Sequence, residues 1–399
     1  MHWTLGLRIL VPFGLGYFLS YLFRVVNAVI ASDMSSDLDL HADTLGLLTS
    51  IYFLTFAAFQ LPLGVLLDRY GSRRVEAILL VIAASGAMIF ASADSATGLM
   101  VGRALIGLGV SSCLMAAFTA YRHWFEPTRL PFVNGLQMTF GGMGALAGTR
   151  PVAMLLEIGS WRDLFFGLSG LTILVAFLIW FVVPRRHDAP TVTTTSKSGF
   201  GNIFKSVEFW KIAPLAVASQ AAFLSLQGLW IGTWLRDVAE LDLIHASNIM
   251  ALTTMAMVAG FLTIGWFSSR MSKRGVDISL TAVTGMGLFL VPQAIILAGG
   301  LSVPAIAWGF FGFFGTSSII AYASLARHFP IQLSGRVNTS LNFLVFVSAF
   351  ALQWGFGVVI NQFPASHGYQ PIGYQVAISI LFALQVSGLI GYFLIGRRR

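Results

Sequence analysis

Tyr17, Tyr21, Arg24 and Asn27 recur at spacings of four, three and three in the first apolar stretch of the chain. Helical periodicity places all four on one face of an otherwise greasy cylinder. A polar stripe of that kind must meet protein or water, because lipid offers it no hydrogen bonds. Arg24 falls about 16 residues into the stretch, roughly 24 Å along a helix axis, past the middle of a bilayer but still inside it. A guanidinium there presents five fixed donors suited to a carboxylate or phosphate, and tyrosine hydroxyls can complete the shell. An ionisable group in hydrocarbon costs at least about 2.5 kcal/mol, so by default it marks a functional site. The plainer alternative is an arginine satisfied by backbone carbonyls or a helix C-terminus.

Arg103 and Arg150 also stand inside apolar stretches, whose centres hold no Asp or Glu. Each lies about five residues within the outer end of its helix, close enough to snorkel toward the interface. Arg150 reads that way, near Glu157 or Asp163, while Arg103 is equally a candidate for coupling. In the seventh stretch Gln220, Gln227, Trp230 and Trp234 share one face, with Gln227 near the place equivalent to Arg24. Asn338, Asn342 and Gln353 of the eleventh stretch, with Tyr52 and Gln60 of the second, complete the candidate substrate shell. Polar side chains in membrane helices serve as often as interhelical ties, worth about 0.6 kcal/mol each. Every Asp, Glu and His reads as a loop or helix-end residue, so no core acid marks a proton path. Asp33, just beyond the first helix, is the one carboxylate near Arg24. Anion exchange, facilitated diffusion and carriage of the protonated acid all remain open.

These residues need a membrane to act in, and the composition supplies one. Of 399 residues, 56% are hydrophobic and 10% charged, with a mean hydropathy of +0.80; soluble domains carry about 25% charged residues. The net charge of +8 then reflects loops held in the cytoplasm, not nucleic-acid binding. Cys113 is the one cysteine, which excludes an internal disulfide or a cysteine-based metal site. No metal-ligand cluster or nucleophile motif stands out, so neither an enzyme nor a cofactor is expected. The first stretch lacks a cleavage-type exit and reads as a retained helix.

At about 20 apolar residues per crossing, twelve spans are expected. They fall near 8–31, 45–67, 75–93, 98–122, 132–156, 164–184, 211–234, 246–268, 278–300, 302–326, 337–361 and 373–396. The chain therefore reads as an all-α membrane protein of two six-helix bundles, 1–184 and 211–399, joined by a cytoplasmic linker at 185–210. With both termini inside, nineteen Lys and Arg fall in inner segments, and only Arg162 and Arg236 in outer ones. That bias places both termini in the cytoplasm. The first outer loop is acidic, with Asp33, Asp37, Asp39 and Asp43.

Gly64 to Arg74, after the second span, is echoed by Gly265 to Arg274 after the eighth, and Val133-Asn134 by Val337-Asn338. Near-equal offsets indicate two parallel repeats with a site between them. Gly64, Asp68, Arg69, Gly71, Arg73 and Arg74 resemble the loop signature of the major facilitator superfamily. The resemblance implies two pseudo-symmetric six-helix bundles working by alternating access. In that signature Asp68, Arg69, Arg73 and Arg74 form a gating latch, and Gly64 allows close backbone approach; the second copy has Ser269 in place of Asp68. Gly102-Arg103 through Gly109 is similar to the superfamily's arginine-containing fourth-helix motif, associated with proton coupling in some exporters. The fifth helix has Gly141, Gly142, Gly144 and Gly148, but Pro151 follows Arg150 and no mid-helix Gly-Pro pair occurs, unlike drug exporters. Arg24 looks like the first-helix arginine of anion-transporting branches. The seventh helix lacks the second basic residue of organophosphate exchangers, which favours a monoanion or weak organic acid. The resemblance implies a monomeric secondary transporter of a small carboxylate-type anion in the inner membrane, as exchanger or proton-linked carrier. Efflux of lipophilic compounds, suggested by 34 Phe and 13 Met, is the alternative.

Overall fold

The structure, a computed structural model, describes residues 3–125, 130–184, 203–298, 304–329, 334–365 and 368–396. Most of the expected linker, the C-terminal arginines Arg397–Arg399 and the side chains of Asp68, Ser269 and Lys273 lie outside the described residues. The chain divides into two compact units, Met1–Thr194 and Thr195–Arg399. Both are helical, and eleven helical segments among the described residues are long and apolar enough to cross a bilayer.

Unit 1 contains α1 (Trp3–Val25), α2 (Asn27–Leu38), α3 (Ala42–Tyr70), α4 (Ser72–Ala91) and α5 (Ala96–Val110). α6 (Cys113–Trp124), α7 (Leu130–Ala147), α8 (Arg150–Leu156) and α9 (Trp161–Val182) complete it. Unit 2 contains α10 (Val207–Ser225), a π-helical turn (Leu226–Trp230), α11 (Ile231–Asp237), α12 (Leu243–Lys273) and α13 (Ile278–Leu297). α14 (Pro304–Gly315), a 3-10 turn (Thr316–Ile319), α15 (Ile320–Arg327), α16 (Ser334–Ile360) and α17 (Pro371–Gly396) follow.

Several expected spans are interrupted. The first breaks at Val26 and continues as α2, so Asp33 and Asp37 are helical and not in an open loop; the turn comes at Asp39, with φ +48°. The fourth breaks between α5 and α6, where the Ser111 hydroxyl donates to Leu108 O at 2.7 Å and competes with the backbone for that carbonyl. The fifth breaks at Thr149, because Pro151 has no N–H to donate to the carbonyl four residues back and its ring crowds that turn. In unit 2 the π-helical and 3-10 turns interrupt the corresponding first and fourth spans. The linker is also shorter than expected. Ile203 is fully buried with Phe209 in the unit 2 core, and Trp210 Nε1 donates to Phe204 O at 2.7 Å.

The loop signature is a one-residue turn. Gly71 joins α3 to α4 at φ +77°, a conformation glycine adopts without steric cost. Gly64 does not make the expected close approach, since a Cβ there would meet nothing within 4 Å. Arg69 lies over the Tyr70 ring, Arg73 over Trp180 of α9, and Arg74 is exposed. Arg270 over Trp266 repeats the Arg69 arrangement in unit 2.

At the far end of unit 1 Asp37 binds α2 to α9. Trp161 Nε1 donates to its Oδ2 at 3.0 Å, and Arg162 pairs with the same oxygen. Those two donors, the Trp161 bond first, hold the Asp37 carboxyl below its usual range. A depressed native value means that the contact stabilises at neutral pH and is lost as pH falls through and below the ordinary carboxylate range. Asp37→Asn should therefore flatten the acid side of the thermal-unfolding profile in detergent. A variant profile that follows the parent's at every pH would remove this role.

Candidate functional site

α1 carries the charged stripe into the interior of unit 1. The Arg24 guanidinium sits 4.6 Å from the Tyr21 ring centroid and 5.6 Å from that of Phe56 on α3, and its side chain bonds the Tyr52 hydroxyl. Tyr17 and Tyr21 meet edge to face at 5.1 Å, and the Tyr17 hydroxyl points at Met138 Sδ, 3.6 Å away. Four expected residues, Tyr17, Tyr21, Arg24 and Tyr52, thus form one polar wall inside unit 1. An aromatic face attracts a cation without neutralising it, so the half-buried Arg24 keeps its charge there. Phe56 belongs to the group too, and its spacing of four from Tyr52 was the available signal.

The other candidates in unit 1 are placed differently. Gln60 Nε2 donates to Ser111 O at 3.2 Å, answering a carbonyl freed by the break between α5 and α6. Asn27 is buried at the start of α2 with Oδ1 unbonded. Arg103 does not snorkel. It is 1% exposed, and its Nη1 donates to Phe23 O at 3.0 Å, a carbonyl of the last turn of α1 left open by the break at Val26. Phe90 at 5.4 Å and Tyr52 at 5.8 Å line its flanks. Arg103 therefore clamps the joint between α1 and α2. Arg150 is exposed at the first position of α8, as a snorkelling side chain should be.

One expectation is overturned outright. Glu76 is no helix-end residue at the water's edge but is fully buried on α4. Gly16 of α1 lies against it, since a Cβ there would run into Glu76 Oε1, and the Cys113 thiol of α6 faces the carboxyl. Its register with Leu80, Ala83 and Ala87, all on the buried stripe, was the missed signal. Gln137 was missed as well: it is fully buried, accepts from the Tyr121 hydroxyl at 2.6 Å and donates to Phe13 O at 3.2 Å.

In unit 2 the π-helical turn gathers Gln227 and Trp230. Gln227 Nε2 reaches Met257 Sδ at 3.3 Å. Trp230 Nε1 donates to Gln353 O at 3.0 Å, and its ring stacks on Phe356 at 5.0 Å. Gln220 lies about two turns away, with Oε1 unbonded. Asn338 and Asn342 belong to a separate group, in which Asn342 Oδ1 accepts from Tyr322 at 3.0 Å. Trp230 and Asn342 are interhelical ties in this arrangement, and Gln227 offers neutral polarity beside a thioether.

The Major Facilitator Superfamily profile matches residues 13–352. The chain belongs to that superfamily. It is 24% identical over 391 residues to a probable sulfoacetate transporter of Cupriavidus necator, covering 92% of this chain and 86% of the relative. It is 24% identical over 310 residues to a multidrug resistance protein of Klebsiella pneumoniae, covering 75% and 71%. Its fold matches a bacterial homologue of the human lysosomal transporter Spinster with a TM-score of 0.79 at 17% identity, over 100% of this chain and 98% of that one. The protein is thus an all-α, multi-pass membrane transporter of small substrates and not an enzyme.

The glycines of α7 let the stripe sit where it does. A Cβ at Gly144 would overlap the Phe18 carbonyl oxygen, and one at Gly141 would stand 2.6 Å from the Tyr17 ring. Gly141→Ala should lower the detergent unfolding temperature, with an overpacking cost of about 1–3 kcal/mol. Gly135→Ala on the same helix, where nothing lies within 4 Å, should be neutral or mildly stabilising. Equal stability changes in the two variants would remove the packing argument.

Proposed function

We propose that this protein is a secondary transporter of a small carboxylate- or sulfonate-type organic anion, with Arg24 as the group that binds the anion's charge. One observation carries the reading: a half-buried guanidinium inside the membrane region, flanked by Tyr21 and Phe56 and bonded by Tyr52. Aromatic faces hold the arginine in place, and the planar fork of a guanidinium matches an oxyanion. Tyr17 and Tyr21 supply further hydroxyls. The relative named for sulfoacetate supports the same chemistry. The protein acts as a monomer in the cytoplasmic membrane, both termini inside, as the nineteen-to-two distribution of Lys and Arg favours.

Purified protein in proteoliposomes should take up labelled sulfoacetate or a short-chain carboxylate. Arg24→Ala should cut that uptake at least about tenfold, and Arg24→Lys should restore only part of it, as expected for a charge-assisted bond worth about 1.5–3 kcal/mol. Full uptake of every anionic probe by Arg24→Ala would end the proposal. The drug-efflux alternative has support in the multidrug relative. A cationic drug, however, would meet a fixed positive charge at this wall. Overexpression should leave tolerance to cationic drugs unchanged, and raised tolerance that survives Arg24→Ala would favour the alternative.

A further inference from the structure

Glu76 lies outside the anion shell and has no structural duty that its hydrogen bonds explain. Its side chain is fully buried, and neither carboxyl oxygen has a hydrogen-bond partner of ordinary geometry. α6 presents the Cys113 thiol and the Tyr121 hydroxyl toward it, but that hydroxyl is engaged by Gln137 at 2.6 Å. α1 presents Gly16, where only the absence of a side chain leaves room for the carboxyl. Arg73, on α4 itself, is turned onto Trp180, and Arg74 is exposed. Arg103 of α5 is committed to the α1–α2 joint. Arg162 and Asp163 stand at the opposite end of α9, where Arg162 pairs with Asp37. On α3 the described titratable groups are Asp43 at its start, Tyr52 bonded to Arg24, and Arg69 and the exposed Tyr70 at its end. The side chain of Arg122 is outside the described residues. No described cation contacts the Glu76 carboxyl.

A carboxylate removed from water with no cation, and with only a weakly donating thiol facing it, carries a large desolvation cost. The same group as a neutral acid does not. We infer that Glu76 is a proton-binding site: it holds a proton while enclosed by α1 and α6, and gives it up when movement of those helices admits water. The step is a simple ionisation, in which the carboxylate takes one proton from water on one side and returns it on the other, with no redox partner.

The site is placed to communicate with the anion shell, and this part rests on the proposed function. Cys113, which faces Glu76, also lies in the field of Arg24. Gly16 and Arg24 are eight residues apart on α1, about 12 Å along its axis. Two unit charges at about that distance, at an effective dielectric of about 20, change each other's binding about tenfold. An anion that neutralises Arg24 removes a positive field from Glu76 and so favours its protonation. By reciprocity the proton favours the anion, and anion and proton cross together without net charge.

Infrared spectroscopy of the full-length protein in lipid vesicles tests the proton site without a substrate. The wild type should show a protonated-carboxyl C=O band that disappears in Glu76→Gln, a near-isosteric change. Cys113→Ala should shift that band while keeping it, which identifies the carboxyl even if Glu76→Gln folds poorly. Absence of a band assignable to Glu76 overturns the proposal, whether or not any anion is transported. For coupling, sulfoacetate uptake driven by an inwardly directed proton gradient should be concentrative in the wild type. Glu76→Gln should lose that accumulation and retain counterflow of preloaded sulfoacetate. Concentrative uptake by Glu76→Gln overturns the coupling. A wild type that moves no anion counts against the proposed function alone, because the infrared band still decides whether Glu76 holds a proton.

Discussion

The unsatisfied backbone carbonyl is the constraint on which the interior of this protein turns. In hydrocarbon there is no water to answer a broken helical hydrogen bond, so each interruption must be answered by another side chain. The break at Val26 opens Phe23 O, and Arg103 answers it. The break between α5 and α6 opens Ser111 O, which Gln60 answers, while the Ser20 hydroxyl reaches Val110 O at 3.5 Å. In unit 2, Trp230 and Ser225 reach across to Gln353 O and Ala349 O of the continuous α16, as ties between helices. In unit 1, polar side chains are retained where the breaks demand them.

This divides polar residues of one type into different duties. Arg24 and Arg103 are chemically identical and stand on neighbouring helices of unit 1. Arg103 is enclosed, with a carbonyl as its hydrogen-bond partner, so its charge serves the α1–α2 joint. Arg24 is half-buried among aromatic rings and bonds the Tyr52 hydroxyl, so its surroundings are side chains and not a backbone joint. Glu76 is a third case: it is enclosed like Arg103, but among the described residues no cation answers it and only the Cys113 thiol faces it. The difference among the three lies in what each neighbour offers, and the neighbours come from helices distant in sequence.

Close helix approach is what brings these neighbours together. Gly141 and Gly144 of α7 let α1 lie near enough for Tyr17 and Tyr21 to stand over its backbone. Gly16 gives the same room to Glu76. Small residues at such crossings permit packing that apolar association in lipid would not otherwise drive. The repeat carries the pattern into unit 2, where the corresponding spans are also interrupted and Gly275 turns at φ +85° after α12, as Gly71 does after α3.

The sequence by itself determined the membrane setting, the helical class, the repeated halves and the stripe of Tyr17, Tyr21 and Arg24, because apolar length and helical periodicity are local properties. It also placed a loop between the second and third spans, which the structure narrows to the single residue Gly71. Tertiary structure alone decided that Gln60 and Trp230 bond backbone carbonyls, that Arg103 is enclosed, and that Glu76 is buried. These outcomes depend on which carbonyl, ring or glycine a distant helix places opposite the side chain. Burial and hydrogen-bond satisfaction are properties of that encounter, and no spacing along one helix encodes them.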